Sequence, residues 1–307
     1  MKVFLNKINE SWVVDRFRDE WFESNQDIST TNLKDADIIW IFTPWLWNNI
    51  SKRQLKSKKV LCSVYHIDFQ KFTISEKKDF YKRDKFVDMY HVISEKTKQQ
   101  LSQLTDKKII SIPFWINQQI WFEIEDKKTL RKKHNFVEEK YYIGSFQRDT
   151  EGHDLKSPKL IKGPDRFIEI VENLFNINKD IEVILTGKRR QYVISELNKR
   201  KIPFKYYEMA SFQKINELYN LLNLYIVSSR IEGGPQAVVE CGITKTPIIS
   251  TDVGIASEIL SSISIFNMQN YKEATPDIDY AFKKSSALVT PQGFMKYREL
   301  LKEVYEN

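Results

Sequence analysis

Residues 228–242 read SSRIEGGPQAVVECG, and this stretch decides the fold of the second half of the chain. The apolar run NLYIVSS that leads into it predicts a buried strand. The residues from Pro235 onward predict a helix, because proline is favoured in the first helical position. Glu232 and Glu240 therefore flank a Gly-Gly-Pro corner between a strand and a helix, where α/β proteins commonly bind ligands.

This corner combines two kinds of ligand-binding group. On a wheel of about 100° per residue, Glu240 falls off the packed face of the helix and leans back toward Glu232. Gly233 and Gly234 can adopt positive φ and approach a ligand closely, and the first helical N–H groups carry partial positive charge. Carboxylates suit sugar hydroxyls and N–H groups suit phosphate, so a nucleotide sugar would satisfy both. From spacing alone, an ordinary pair of surface glutamates is the alternative.

Composition predicts a folded protein with two domains. The chain has 307 residues, of which 41% are hydrophobic, enough for two separate cores. The net charge of +7 is spread along the chain, which favours an anionic small molecule or an anionic membrane surface without by itself indicating nucleic acid. Cys62 and Cys241 lie far apart in apolar runs, so we expect no disulfide framework, no zinc site and a cytoplasmic protein.

The first part of the chain alternates short apolar runs with amphipathic segments, the pattern of a parallel sheet covered by helices. The predicted strands are KVFLN (2–6), DIIWIFT (37–43), KVLCSV (59–64), MYHVI (89–93) and KIISIPF (108–114). The predicted helices span residues 11–24, 74–83 and 94–104. Ser94 is the expected N-cap of the last of these helices, with Thr97 instead of a glutamate three residues later.

A second alternating series follows the polar bridge NQQIWFEIED. Its predicted strands are YYIGSF (141–146), IEVILTG (181–187), FKYYE (204–208), LYIVSS (224–229), TPIIST (246–251) and the shorter SISIF (262–266). Its predicted helices span residues 165–175, 191–199, 212–222 and 235–242. Residues 292–306 predict a final helix that packs back onto the first domain. We therefore predict an α/β fold of two Rossmann-like domains, residues 1–120 with the C-terminal helix of about residues 290–307, and residues 121–289. No apolar run reaches the roughly 20 residues that span a bilayer, so we expect a soluble protein, at most peripheral at a membrane.

A longer stretch, SSRIEGGPQAVVECGITKTPIISTDVGIASEIL (228–260), resembles the donor-site block of the retaining group 1 (family four) glycosyltransferases. In that family, two glutamates separated by seven residues precede a small residue with glycine, a proline-led strand and a glycine-rich turn that ends in glutamate. The matching positions here are Glu232, Glu240, Cys241, Gly242, Pro247, Gly254 and Glu258. The resemblance implies the GT-B fold, in which two Rossmann-like domains face a central cleft. Ile255-Ala256 departs from the family, which usually has a second glycine there.

The resemblance also implies roles for individual residues. Glu232 is expected near the hydroxyls of the donor sugar, and Glu240 is expected to accept the two ribose hydroxyls. The backbone of the corner is expected to line the sugar and the diphosphate, through Gly233, Gly234 and Pro235.

Residues 141–170 resemble the family's phosphate-binding loop and the Lys-Gly that opens the next helix. Lys162 matches the family lysine that binds the diphosphate. In the family, an arginine of this loop usually comes directly after the glycine of the preceding strand, but here Arg148 comes four residues after Gly144. Lys188 is a third candidate cation, and each of the three could instead be a solvated surface residue. Cations are needed because the departing nucleoside diphosphate gains negative charge, which positive groups stabilise. We expect no cofactor and no metal ion, and we interpret Asp277-Ile278-Asp279 as surface residues.

The match is thinner in the first domain. VLCSVYHID (60–68) resembles the family strand that ends in a histidine facing the donor sugar, which makes His66 a candidate catalytic residue beside Glu232. A structural histidine is the alternative. NESWVVDR (9–16) stands in the place of the family's glycine-rich acceptor loop. The segment PWLWNNISKRQLKSKK (44–59) fits either an anionic membrane interface or a core-packing turn followed by a basic surface helix.

The sequence thus predicts a glycosyltransferase that moves a sugar from a nucleotide diphosphate sugar to an acceptor hydroxyl on a glycan or a lipid-linked acceptor. Retention follows from the resemblance, and independence from metal is expected because the sequence has no persuasive cluster of metal ligands. A nucleotide-sugar epimerase of the same fold and a non-catalytic subunit that binds nucleotide sugars are the alternatives. A nucleic-acid partner is not expected, because the chain has no recognition motif of interleaved basic and aromatic residues.

Overall fold

The computed structural model of the protein describes residues 1–7 and 13–307. These residues form two compact units, each with its own parallel sheet. Unit 1 comprises Met1–Trp115 and Thr290–Asn307, and unit 2 comprises Ile116–Val289. The chain therefore passes from unit 1 to unit 2 five residues before the boundary placed after residue 120 from the sequence.

Every predicted strand corresponds to a strand of the structure. The strands are β1 (Val3–Leu5), β2 (Ile38–Ile41), β3 (Lys59–Val64), β4 (Met89–Val92), β5 (Ile109–Ser111), β6 (Tyr141–Ser145), β7 (Ile181–Thr186), β8 (Phe204–Tyr207), β9 (Leu224–Val227), β10 (Ile248–Thr251) and β11 (Ile265–Phe266). Most are almost fully buried, because helices cover both faces of each sheet. This double burial explains why the strands appear in the sequence as continuous apolar runs.

The helices include all those predicted and several that were not. They are α1 (Val13–Ser24), α2 (Lys52–Ser57), α3 (Ile74–Asp84), α4 (Glu95–Leu101), α5 (Lys127–Lys133), α6 (Pro164–Ile177), α7 (Gln191–Lys199), α8 (Phe212–Leu221), α9 (Gln236–Ile243), α10 (Ala256–Ile259), α11 (Ile278–Ser286) and α12 (Gln292–Glu306). Ser94 is the N-cap of α4, since its hydroxyl accepts a hydrogen bond from the Thr97 N–H at 3.2 Å. The predicted start of α1 at Ser11 lies outside the described residues, as does the first half of NESWVVDR.

Two features of the helices differ from the prediction. Helix α9 begins at Gln236, and Pro235 is its N-cap with extended backbone, so the helix starts one residue later than expected. Helix α5 was not predicted, because the amphipathic signal of KKTLRKK is weak and Leu130 is its one buried residue. Within the described residues, none of the helices combines the length and the apolar character that crossing a membrane requires.

Unit 1 arranges its strands in the order β1-β2-β3-β4-β5, all parallel. Helix α12 returns to this unit and packs into its core, as the sequence predicted, and Tyr297 stacks on Trp40 with ring centroids 5.6 Å apart. Trp21 meets Trp40 edge to face at 5.3 Å, an arrangement that aromatic pairs prefer. The buried residues of α12 are Gly293, Phe294, Tyr297, Leu300, Leu301 and Val304.

A fully buried histidine, His91, joins this core through hydrogen bonds. Its Nε2 lies 2.8 Å from the Ile112 carbonyl oxygen, which can only accept, so Nε2 carries the hydrogen. Its Nδ1 accepts from the Ser63 hydroxyl at 2.9 Å, and that hydroxyl accepts from the Trp40 indole at 2.9 Å. Burial lowers the pKa of His91 to about 4, so the imidazole is neutral in the folded protein near pH 7.

Unit 2 orders its strands β11-β10-β9-β6-β7-β8, again all parallel. The chain moves outward from β6 through β7 to β8 and then returns to add β9 on the other side of β6. The direction of winding therefore reverses between β6 and β9. Crevices at such a switch point are where α/β sheets bind ligands, at the carboxyl ends of the strands. The loop after β6 and the corner after β9 both begin at this point.

Candidate active site

An ion pair between Lys162 and Glu232 lies at the switch point of unit 2. The two side chains are 25% and 12% exposed, and they come from segments 70 residues apart. The Ser229 hydroxyl donates to the same oxygen of Glu232 at 3.1 Å. The structure thus brings together two site residues that the sequence analysis selected from separate stretches.

Gly163 allows the two segments to meet. Its φ is +62°, a value that side-chain-bearing residues rarely adopt, and a Cβ on it would lie 1.9 Å from the Ser228 carbonyl oxygen. The Ser228 hydroxyl donates to the Gly163 carbonyl at 2.8 Å, and the Arg230 N–H donates to the Ile161 carbonyl at 2.8 Å. This close approach of two backbones places Lys162 beside Glu232, and it requires a glycine.

Gln147, in the loop after β6, joins both sides of the ion pair. Its side-chain amide donates to the Lys162 carbonyl at 2.8 Å, and its side-chain oxygen lies 3.3 Å from the Ser229 hydroxyl. The sequence analysis did not select Gln147. It stands just before Arg148, near the position where the family has its arginine, and this was the signal that could have identified it.

Lys159 lies near the ion pair, and Arg148 lies near Lys159. Burial lowers the pKa of Lys159, and the nearby charges of Arg148 and Lys162 lower it further. The sequence analysis did not select Lys159. Arg148 is exposed, its Nε donates to the Thr150 carbonyl at 2.8 Å, and its pKa is lowered by burial and by Arg189. Cations that depress each other's pKa values create a positive potential that an anion would relieve.

Arg190 is fully buried and holds the loop after β6 in place. Its Nε donates to Asp149 Oδ2 at 3.0 Å, its Nη2 donates to the Ser145 hydroxyl at 3.3 Å, and its Nη1 donates to the Gln147 carbonyl. Burial raises the pKa of the Asp149 carboxyl to about 6, although the charge of Arg190 opposes the rise. Lys188, the predicted third cation, is exposed two residues before Arg190. The buried arginine of this turn is therefore structural support for the site.

Glu240 differs from its predicted environment. The wheel placed it off the packed face of α9, but only 7% of it is exposed, and the Tyr219 hydroxyl donates to its Oε2 at 2.9 Å. Tyr219 belongs to α8, a neighbouring helix that a wheel of α9 alone does not include. Burial raises the pKa of Tyr219 well above its usual value, and the charge of Glu240 adds to the rise.

The glycines of the corner also differ from expectation. Of the described glycines, those with positive φ are Gly152, Gly163, Gly187 and Gly254, so Gly233 and Gly234 do not use that freedom. Gly254 does, at φ +51°, and a Cβ on it would lie 2.1 Å from the Gly233 carbonyl oxygen. The family glycine at position 254 therefore supports the corner from the next turn.

His66 belongs to unit 1, where it is exposed two residues after β3. It lines a cavity of about 490 Å³ that is formed by residues of unit 1 alone. In the nearby segment 44–59, Trp47 and Ile50 are buried and α2 presents its basic residues to solvent. Burial of Trp47 agrees with the core-packing turn and basic surface helix, whereas Trp45 is 44% exposed, and a peripheral membrane contact of this segment stays a prediction.

Within the described part of the chain, acidic residues do not gather into an evident metal site. Asp277 is the N-cap of α11, and its carboxylate accepts from the Tyr280 N–H at 3.1 Å, as expected for a surface residue. Among residues 1–7 and 13–307, His, Cys, Asp and Glu side chains form no group of three that could hold a metal ion.

A family model ties this site to a known class of enzyme. Residues 126–284, just over half of the chain and all within unit 2, match the model of the glycosyl transferases group 1. The chain belongs to this family. The matched segment contains the Lys162–Glu232 pair, the loop after β6 and the corner after β9. None of the curated proteins matches the chain significantly in sequence.

Solved glycosyltransferase structures have the same fold as the chain. HepE of Anabaena, in a complex with UDP, superposes with a TM-score of 0.77 at 12% identity, over 99% of this chain and 100% of that one. Sucrose-phosphate synthase of Thermosynechococcus elongatus superposes with a TM-score of 0.69 at 12% identity, over 98% of this chain and 81% of that one. A glycosyltransferase of Rickettsia africae superposes with a TM-score of 0.64 at 17% identity, over 98% of this chain and 84% of that one. The α/β fold of the chain is therefore that of the GT-B glycosyltransferases.

Proposed function

We propose that this group 1 glycosyltransferase transfers a sugar from a nucleotide diphosphate sugar to a hydroxyl of a glycan or lipid-linked acceptor, with retention and without a metal ion. One observation carries the proposal: Lys162 is paired with Glu232 at the switch point of unit 2, and the charges of Lys162, Glu232 and Arg148 all act on the nearby Lys159. HepE of Anabaena has been crystallised with UDP and with UDP-glucose, so uridine nucleotides are the first donors to test.

Lys162 and Lys159 are proposed to bind the diphosphate. Breaking the bond between the sugar and the phosphate leaves negative charge on the nucleoside diphosphate, and nearby ammonium groups stabilise that charge. Gly163 is the N-cap of α6, a helix of 14 residues, so the positive end of its dipole lies beside Lys162. These groups supply the positive charge that the reaction needs.

Glu232 is proposed to exchange partners when the donor binds. In the structure its carboxylate accepts from Lys162 and from the Ser229 hydroxyl. A bound diphosphate would draw the ammonium of Lys162 away, which leaves the carboxylate of Glu232 to accept hydroxyls of the sugar. Ser229 would hold the carboxylate in position during this exchange.

The proposed reaction occurs on one face of the sugar. The bond from the anomeric carbon to the phosphate oxygen breaks, and its electron pair goes to the diphosphate. The acceptor oxygen forms the new bond from the same face, and its proton passes to the departing phosphate oxygen. Glu240, held by Tyr219, is proposed to bind the ribose. The resemblance adds His66 as a residue that faces the donor sugar.

Thermal unfolding with UDP, UDP-glucose, GDP and GDP-mannose tests the donor. A ligand at 100 times its dissociation constant stabilises the folded protein by about 2.7 kcal/mol, which raises the melting temperature measurably. We expect a shift with one nucleotide class in the wild type and a smaller shift in Lys162→Met. Absence of a shift with every nucleotide would overturn the proposal. Isomerised sugar formed from the donor without an acceptor would identify an epimerase instead.

A further inference from the structure

Unit 1 contains a cavity of about 490 Å³ that is lined by residues of this unit alone. It lies between the turn Pro44–Asn49, the residues that follow β3, and α3. Its walls are mainly apolar, and this volume falls within the usual range for small-molecule sites. The apolar wall residues include Val64, Tyr65, Ile67, Phe72, Phe80 and Leu104.

Arg83 of α3 lines this cavity and is buried, with 8% of its surface exposed. One Nη donates to the Pro44 carbonyl at 3.2 Å, and the guanidinium lies 5.3 Å from the centroid of the Phe80 ring. Its Nε is buried and has no hydrogen-bond partner among the described residues. A guanidinium does not lose its proton in proteins, so a positive charge is fixed at the wall of the cavity.

The carboxylates of the cavity have donors of their own. Asp79 accepts from the Trp47 indole at 3.0 Å, Glu76 accepts from the Thr73 N–H at 2.7 Å, and Asp68 accepts from the Gln70 N–H at 3.1 Å. These bonds hold the three carboxylates on local backbone and indole donors and leave their negative charges in place.

The acid nearest to Arg83 along the chain, Asp84, is also engaged elsewhere. Its Oδ1 accepts from the Tyr90 hydroxyl and from the Thr105 hydroxyl, each at 2.9 Å. In the part of the chain that the structure describes, no ion pair within 4 Å involves Arg83. A buried charge without a partner is costly, and an anion bound in the cavity would remove that cost.

We propose that this cavity binds an anionic amphiphile, a phosphate monoester or carboxylate joined to an apolar chain, with the anionic group on Arg83. The apolar walls would cover the apolar tail of the ligand, and the apolar surface that is removed from water contributes to affinity. His66 lines the same cavity. The identification of the amphiphile as part of a lipid-linked acceptor rests on the proposed function, whereas the binding site does not.

Isothermal titration of the full chain with n-octyl phosphate, below its micelle concentration, tests the site. We expect binding by the wild type, much weaker binding of neutral n-octyl glucoside, and much weaker binding of inorganic phosphate. Arg83→Met keeps an apolar stem but removes the charge, and we expect affinity for octyl phosphate to fall by roughly 10- to 100-fold, as for a hydrogen bond between charged groups. Equal binding of octyl phosphate by the wild type and Arg83→Met would overturn the proposal.

A second variant tests the same cavity in case Arg83→Met does not fold. Leu104→Trp fills the cavity while it leaves Arg83 in place, and it should also abolish binding. Lys56→Met on exposed α2, outside the cavity, is the matched control for non-specific attraction and should bind octyl phosphate like the wild type. Loss of binding in the control as large as in Arg83→Met would contradict the site.

Two further measurements distinguish a membrane lipid from a soluble ligand, and this inference from the proposed donor site. Co-sedimentation with phosphatidylcholine vesicles, with and without phosphatidic acid, shows whether the anion can belong to a lipid surface. Vesicle binding that depends on phosphatidic acid and on Arg83 identifies a lipid, whereas octyl phosphate binding without vesicle binding identifies a soluble ligand. UDP titration is done on every variant. Normal UDP binding without octyl phosphate binding would overturn this inference alone, and the reverse would overturn the proposed donor site alone.

Discussion

The donor corner of unit 2 and the cavity of unit 1 both place a cation where a ligand can reach it, but they treat its charge differently. Lys162 is paired with Glu232 from the chain itself, whereas Arg83 has a backbone carbonyl and an aromatic ring. The first arrangement is an ion pair that a ligand must open. The second lacks an anion that a ligand can supply. From this difference we expect exchange of partners at the self-neutralised pair and simple binding of an anion at the unneutralised cation.

Removal of the paired cation should give the largest effect. Lys162→Met should lower the rate of transfer by roughly 10²–10³-fold, because a group that stabilises transition-state charge is lost. Steady-state transfer from the donor identified by thermal unfolding is the measurement. Lys188→Met, at an exposed position of the same unit, is the control and should retain most of the activity. A loss of activity as large in Lys188→Met would show that general positive charge matters more than the pair.

The close contact between Gly163 and Ser228, which places Lys162 beside Glu232, predicts a large loss of stability when a side chain is added at Gly163. Gly163→Ala should lower the free energy of unfolding by about 3 kcal/mol, because the positive φ and the contact with Ser228 both oppose a side chain. Gly152→Ala is a matched control, with φ +73° but its nearest neighbour, a side-chain atom of Asp154, at 3.4 Å. It should lose about 1 kcal/mol. Urea denaturation measures both, and equal losses would mean that the contact with Ser228 contributes nothing.

Unit 1 offers a contrast between two buried nitrogen bases. His91 can lose its proton and has partners on both ring nitrogens, whereas Arg83 remains charged. The pKa of His91 is about 4 in the folded protein, below the value near 6.5 of an unfolded chain, so the unfolded state binds the extra proton. Stability should therefore fall by about 3 kcal/mol as the pH decreases from 6.5 to 4.

Denaturation across this pH range, compared with His91→Gln, checks the effect. The variant has no titrating imidazole, so its stability should depend less on pH in this range. A pH dependence equal to that of the wild type would assign the loss to other groups.

Glu240 should give the smallest effect. Glu240→Ala should weaken the binding of free nucleotide by roughly tenfold, through loss of a charged acceptor for ribose hydroxyls. Tyr219→Phe removes the hydroxyl that holds Glu240 and should weaken nucleotide binding less. Calorimetric titration with UDP measures both, and unchanged affinity in Glu240→Ala would remove Glu240 from the nucleotide site.

The sequence predicted much of the fold, for a physical reason. Strands buried on both faces are continuous apolar runs, so β3 and β7 could be recognised without knowledge of their neighbours. Helix α12 was predicted with its bounds, since it carries a strong amphipathic pattern after a proline. Helix α5 was missed because it buries only Leu130.

The site was predicted in part. Lys162 and Glu232 could be selected because each lies in a recognisable local motif. Lys159 and Arg190 were missed, because their importance arises from contacts that no local pattern shows, whereas Gln147 was missed although it stands just before Arg148. The buried environment of Glu240 was missed for the same reason, since a helical wheel of α9 does not show that Tyr219 of α8 contacts Glu240.

The affinity for UDP of the wild type, Lys162→Met and Glu232→Gln tests the central claim, exchange of partners at the Lys162–Glu232 pair, most directly. Lys162→Met should bind UDP more weakly, because a phosphate ligand is lost. Glu232→Gln should bind UDP as tightly as the wild type or more tightly, since the carboxylate that competes for Lys162 is gone, while its transfer activity falls. Weaker UDP binding by Glu232→Gln, or unchanged binding by Lys162→Met, would contradict the account.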